Sequence, residues 1–126
     1  MPDQKTLLIV DDSQIIRQAI ARFIENIDVK IVATAHNGST ALDLFSELLP
    51  DFVTLDITMP GIDGFAVLEE MVKINPSTKV IVVTALADKG TGIKALKMGA
   101  SSYLHKPFGE EKFKSAFEKL LLDTSN

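Results

Sequence analysis

At 126 residues, with 46% hydrophobic and 24% charged side chains, the chain is the size of one domain with no room for a second, independent core, and it lies outside the disordered class of compositions. Thirteen Lys and Arg against seventeen Asp and Glu leave a net charge of −4, which disfavours nucleic acid as a general partner. The lack of Cys removes disulfides, thiolate metal sites and cysteine nucleophiles, and His36 and His105 stand far apart, so a structural zinc site is excluded.

The first apolar run, Leu7 to Val10, is too short for a signal segment or a membrane span and is expected to be a strand. Ser13 can cap a first helix in which Ile15, Ile16, Ala19, Ile20, Phe23 and Ile24 recur at helical spacing, leaving Arg17, Arg22 and Glu25 outward. Val29 to Ala33 predicts a second strand, and Ala41, Leu42, Phe45, Leu48 and Leu49 a second helix ending before Pro50. A third strand is expected over Phe52 to Leu55, and a third helix carrying Val67, Leu68, Met71 and Val72 ends before Pro76. Val80 to Val83 predicts the fourth strand. The fourth helix, between Asp88 and Met98, contains Gly90 and Gly92 and offers only Ile93, Ala95 and Leu96 to a core. Each glycine costs about 1 kcal/mol of helix propensity, so this should be the most mobile helix. Ser102 to Leu104 forms the last strand, and Phe113, Ala116, Phe117, Leu120 and Leu121 mark the last helix.

Five strands alternating with five helices, the strands β-branched and without polar alternation, call for a parallel sheet covered on both faces: a doubly wound α/β fold. In such sheets ligands bind beyond the carboxyl ends of the strands. Asp11 and Asp12 follow the first strand, Asp56 the third, Thr84 the fourth, and His105 and Lys106 the fifth. Singly, an Asp here can start a helix or form a turn, and a Lys can be solvated. Three carboxylates gathered together would raise one another's pKa and destabilise the fold unless a cation holds them. Carboxylates without His or Cys select a hard ion, and Mg²⁺ takes one or two carboxylates plus waters and a phosphate oxygen.

Asp11-Asp12, the string Asp56-Ile57-Thr58-Met59-Pro60-Gly61-Ile62-Asp63-Gly64, Thr84-Ala85, and Tyr103 followed by Lys106-Pro107-Phe108 resemble the signature of response-regulator receiver domains. The resemblance covers essentially the whole chain and is to the single-domain, CheY-like kind. It implies a flavodoxin-like fold with strand order 2-1-3-4-5, a cis Lys106–Pro107 bond, and Asp56 as phosphoacceptor from the phosphohistidine of a sensor kinase. Mg²⁺ would be held by Asp12, by Asp11 through water, by Asp56 and by the backbone carbonyl of Thr58. Lys106 would neutralise phosphoryl charge and pair with the phosphorylated Asp56. Thr84 would bond a phosphoryl oxygen and move inward, vacating space for Tyr103. Thr58 and Leu86 would flank the path of the hydrolytic water. Such a domain is no enzyme beyond catalysing its own phosphorylation and dephosphorylation.

The expectation is therefore a single receiver domain over residues 1–126, cytoplasmic and monomeric, with no effector domain, signalling in trans by phosphorylation-dependent protein contact. The Asp56-Ile57-Thr58-Met59-Pro60 wording favours a chemotaxis output on the flagellar switch; a phosphorelay intermediate serving a histidine phosphotransfer protein is the near alternative. An Mg²⁺-dependent phosphohydrolase is disfavoured because its second Asp would fall at Thr58. A flavodoxin-like electron carrier is disfavoured because Asp11 and Asp12 would face its anionic cofactor. His36 and His105 are not expected to be catalytic. Residues 1–87 carry six basic and twelve acidic groups, a net of −6, whereas residues 88–126 carry seven and five, a net of +2. That basic excess includes Lys89, Lys94, Lys97, Lys112, Lys114 and Lys119. An ordinary solvated helix face accounts for it as well as an output surface formed with Tyr103 on the fourth helix, fifth strand and fifth helix, which would take an acidic partner.

Overall fold

The β-branched runs become strands and the segments between them helices. In chain order these are β1 Lys5–Val10, α1 Gln14–Phe23, β2 Val29–Ala35, α2 Gly38–Leu48, β3 Phe52–Asp56, α3 Gly64–Ile74, β4 Lys79–Thr84, α4 Lys89–Lys97, β5 Ser102–His105 and α5 Glu110–Thr124. The computed structural model describes residues 4–59, 61, 63–85 and 89–124. The expectations placed on Pro60, on Leu86, on Asp88 and on the side chain of Lys89 lie outside the described residues. One sheet runs β2-β1-β3-β4-β5 with every neighbouring pair parallel, the expected doubly wound order. Among the described residues no helix is long and apolar enough to cross a membrane.

Successive strand residues point to opposite faces, so each apolar run is shared between two cores. Leu8 and Val10 of β1, Val53 and Leu55 of β3, and Val80 and Val82 of β4 meet Phe45 of α2, Leu68 and Met71 of α3, and Ala95 of α4. Leu7, Ile9, Phe52 and Ile81 face the other way, toward Ile20 of α1 and Phe113 and Phe117 of α5. Each fully buried large side chain contributes about 1.5–3 kcal/mol against the entropy of ordering the chain. Ser13 caps α1 as expected, its Oγ accepting the Ile16 N–H at 3.3 Å. Asn37 and Asp63 cap α2 and α3 in the same way.

The structure departs from the sequence reading at the strand ends and on three helices. Asp56, Thr84 and His105 are the last residues of their strands rather than the first beyond them, because backbone pairing continues past the apolar runs in the registers Asp56↔Val83 and Thr84↔His105. Ile15 is 76% exposed, since the buried face of α1 follows Ile16, Ile20 and Ile24 and the preceding residue turns about 100° away. Leu48 and Leu49 are also exposed at the end of α2, where Leu49 takes a left-handed φ of 43°. In α4, Ile93 and Leu96 are 47% and 42% exposed, and only Ala95 joins the core. The face of α4 toward β5 is instead made by Gly92, where a Cβ would overlap the ring of Tyr103. Close packing therefore accounts for Gly92.

Candidate functional site

All the strands are parallel, so their carboxyl ends share one edge. The sheet is extended to one side of β1 by β2 and to the other by β3, so the loops after β1 and β3 part and leave a crevice. Asp11 leaves β1 at this crevice, Asp56 closes β3, Thr84 closes β4 and Lys106 follows β5. Three backbone bonds tie these ends together: Asp11 N–H to Ala35 O at 3.0 Å, Ile57 N–H to Val83 O at 3.0 Å, and Lys106 N–H to Thr84 O at 2.8 Å. The Lys106–Pro107 peptide bond is cis.

The Lys106 ammonium lies 2.9 Å from Asp56 Oδ2 and 3.0 Å from Asp11 Oδ2. Asp11 is 1% exposed and Asp56 2% exposed, whereas Asp12 is open to solvent. An oxygen from each of the three carboxylates can be chosen so that all lie within 4.8 Å of one another. Three carboxylates and one ammonium leave an excess of two negative charges in a partly buried space. Burial pushes the Asp11 carboxyl above its ordinary 3.8, and the charge of Asp56 adds to the rise; bonds from the Ser13 N–H and from Lys106 offset only part of it. Burial opposes the charge on Lys106, but its bonds to Asp56 and Asp11 outweigh that and hold its pKa above the ordinary 10.5. Both directions have one meaning: a net-negative cluster retains protons and attracts cations. An oxygen-only donor set with one solvent-facing member suits Mg²⁺, which keeps waters and a phosphate oxygen in its shell.

The second oxygen of Asp56 is also engaged. Its Oδ1 accepts the Thr58 N–H at 2.8 Å and the Thr58 hydroxyl at 2.7 Å, and that hydroxyl in turn accepts the Ala85 N–H at 3.2 Å. Thr58 thus links Asp56 to the segment beyond β4, a connection that sequence spacing does not reveal. Gly64, the last residue of the expected string, packs where a Cβ would overlap the backbone of Ile57, which holds the start of α3 against the residue after Asp56.

Asp11, Asp12, Asp56 and Lys106 are brought together; Thr84 is fully buried at the neighbouring strand end. Tyr103 is half-buried, packed against Gly92 and edge-on to the ring of His105 at 5.7 Å. Tyr103, His105, Lys112, Ala116, Lys119 and Leu120 help line a cavity of ≈ 530 Å³ between β5 and α5. Lys97 is exposed. Lys94 does not join that cavity: its ammonium sits 4.2 Å from the ring centroid of Phe65 in α3, so its side chain is turned toward α3. Arg17, expected outward, instead donates from Nη1 to the Asp11 carbonyl at 2.6 Å. Its position four residues after the cap Ser13, on the turn nearest the acidic pair, is the only signal the sequence holds for that contact.

Residues 7–118 match the family model described as the response regulator receiver domain. The chain is 41% identical over 113 residues to the chemotaxis protein CheY of Listeria monocytogenes, covering 90% of this chain and 95% of the relative. It is 36% identical over 116 residues to the chemotaxis protein CheY of Thermotoga maritima, covering 92% and 97%. Among solved structures, a chain of the CheX-CheY-BeF3-Mg+2 complex from Borrelia burgdorferi matches with a TM-score of 0.87 at 28% identity, covering 93% of this chain and 89% of that one. Matched by that family model over most of its length and by relatives above 30% identity over nearly all of theirs, the chain belongs to the response regulator receiver domains.

Proposed function

We propose that this receiver is phosphorylated on Asp56 by a sensor histidine kinase. The observation that carries the reading is the grip of Lys106 on Asp56 Oδ2 beside two further carboxylates at the open end of the sheet. An Asp56 oxygen attacks the phosphorus of the kinase phosphohistidine; the P–O bond forms, the N–P bond breaks, and the imidazole keeps the electron pair and takes a proton from water. Asp12, Asp56, the Thr58 carbonyl and, through water, Asp11 would hold Mg²⁺, which would supply charge neutralisation for the transferring group. Lys106 provides a second positive charge that is already in place, so little reorganisation is needed as charge develops. Thr84 bonds a phosphoryl oxygen, and Tyr103 responds by changing its packing against Gly92. Intact-mass analysis after incubation with acetyl phosphate and Mg²⁺ is expected to find one added phosphoryl group per chain, and none when the metal is chelated. Labelling that persists without metal would overturn the metal's role.

The output is assigned to the surface formed by α4, β5 and α5 around Tyr103 and Lys112. Lys97 extends its positive charge, and Lys94, turned to Phe65, contributes less. The relatives named as chemotaxis proteins support a chemotaxis output. In this reading the partner is a flagellar switch protein and the location the cytoplasm. A domain of this kind acts as a signalling module, with no catalysis beyond its own phosphorylation and dephosphorylation. Loading with beryllofluoride and Mg²⁺ is expected to tighten binding to a flagellar switch protein by about tenfold, with affinity falling as salt rises because Lys112 and its neighbours meet an acidic segment. If the loaded form exchanges phosphoryl groups with a histidine phosphotransfer protein and ignores the switch protein, the phosphorelay reading replaces it.

A further inference from the structure

The peptide unit joining Asp11 to Asp12 determines where the exposed carboxylate of Asp12 projects. Asp11 is anchored on three sides: its N–H bonds to Ala35 O at 3.0 Å, its Oδ1 accepts the Ser13 N–H at 2.9 Å, and its Oδ2 pairs with Lys106 at 3.0 Å. Its carbonyl, which belongs to the peptide leading into Asp12, is held by Nη1 of Arg17 at 2.6 Å. Asp12 itself makes no side-chain hydrogen bond to the described residues, so its direction follows from its backbone. The Arg17 backbone is fixed in turn, its N–H bonding to Ser13 O at 3.0 Å within the first turn of α1.

We propose that Arg17 is a positioning residue for the metal site, clamping the Asp11 carbonyl so that Asp12 is presented toward the oxygens of Asp11 and Asp56. This rests on the reading of the three carboxylates as an Mg²⁺ site. A guanidinium is suited to the task because it cannot deprotonate and its planar donors fix the geometry of the carbonyl they hold. Its charge acts in the opposite direction. A cation beside a dication repels it, so a purely electrostatic Arg17 would weaken Mg²⁺ binding, and its removal would tighten it. A purely structural Arg17 would change the melting temperature and leave affinity alone. Positioning alone predicts weaker binding when the cation is removed.

The test is calorimetric titration of the unphosphorylated chain with Mg²⁺, alongside melting temperatures measured in chelator. Arg17→Met is expected to raise the Kd for Mg²⁺ by about tenfold, within the range that loss of an outer-shell orienting contact produces, and Arg17→Lys by less. In an Asp12→Ala background, Arg17→Met is expected to add little, because its effect runs through Asp12. If Arg17→Met melts below the working temperature, Arg17→Gln removes the same charge and carries the same expected sign. A Kd equal to or tighter than wild type in the charge-removing variant overturns the positioning role. So does an undiminished effect in the Asp12→Ala background. Failure of the wild-type chain to bind Mg²⁺ overturns the metal-site reading itself, so the two failures are distinct.

Discussion

Asp56→Asn is expected to abolish phosphoryl uptake from acetyl phosphate, with the rate falling by at least about 10³-fold, as when a covalent nucleophile is deleted. The carboxamide is no nucleophile toward phosphorus, yet it keeps the shape of the side chain. Its Oδ1 can still accept the Thr58 N–H and hydroxyl, which lie 2.8 and 2.7 Å away in the wild type. The change also removes the charge that helps raise the Asp11 pKa, so the fold should survive and a null result could not be blamed on unfolding. Neither neighbour is expected to substitute. Asp11 is buried with Oδ1 on the Ser13 N–H and Oδ2 on Lys106, and among the described residues Asp12 has no ammonium partner. Intact mass gives the answer: labelling of Asp56→Asn equal to wild type would sink the assignment of Asp56 as phosphoacceptor.

Lys106→Met should lower metal-free stability by about 3 kcal/mol at neutral pH, the scale of removing one partner from a buried ion pair. Lys106 is only 18% exposed at its side chain and serves Asp11 and Asp56 together, so its loss leaves two buried carboxylates facing each other. The pH dependence has a definite sign. In the wild type, the Asp11 pKa is raised above 3.8, so the ionised group disfavours folding increasingly as pH rises from 3.8 through its folded value. Lys106, with its own pKa above 10.5, contributes stability that is fully present below 10.5 and is lost only as pH climbs through its raised value. Methionine removes both of Lys106's lowering effects on Asp11, so the carboxyl rises further. The variant's deficit should therefore shrink as urea titrations move from neutral toward acid pH. Saturating Mg²⁺ should also narrow the deficit, since ligand at about 100 times its Kd contributes about 2.7 kcal/mol. Stability equal to wild type in chelator at neutral pH would refute the account of Lys106 as the charge that offsets the buried carboxylates of Asp11 and Asp56.

Much of this was legible in the residues. Unbroken runs such as Leu7 to Val10 and Val80 to Val83 announce strands buried on both faces. Their β-branched chemistry leaves little competition from helix, which is why strand count and alternation came out right. The acidic and basic groups at strand ends were equally plain, because parallel strands must deliver them to one edge. Errors fell where neighbouring residues compete for one face. Ile15 and Ile16 differ by one step of about 100° and Ile93 and Ala95 by two, and an apolar pattern without a clear polar face cannot rank them.

The sequence by itself determined the fold class, the two buried layers and the company of Asp11, Asp12, Asp56 and Lys106, because period and strand-end placement are local properties of the chain. Only the tertiary structure decided what each group touches. Arg17 turned back to the Asp11 carbonyl, the Thr58 hydroxyl bridging Asp56 Oδ1 and the Ala85 N–H, Lys94 over Phe65, and the bare face of Gly92 under Tyr103 all join different elements or turn against the outward direction that their polarity suggests. Hydrogen bonds and ring contacts are directional over a few ångströms, and such distances are set only when the sheet and helices have packed.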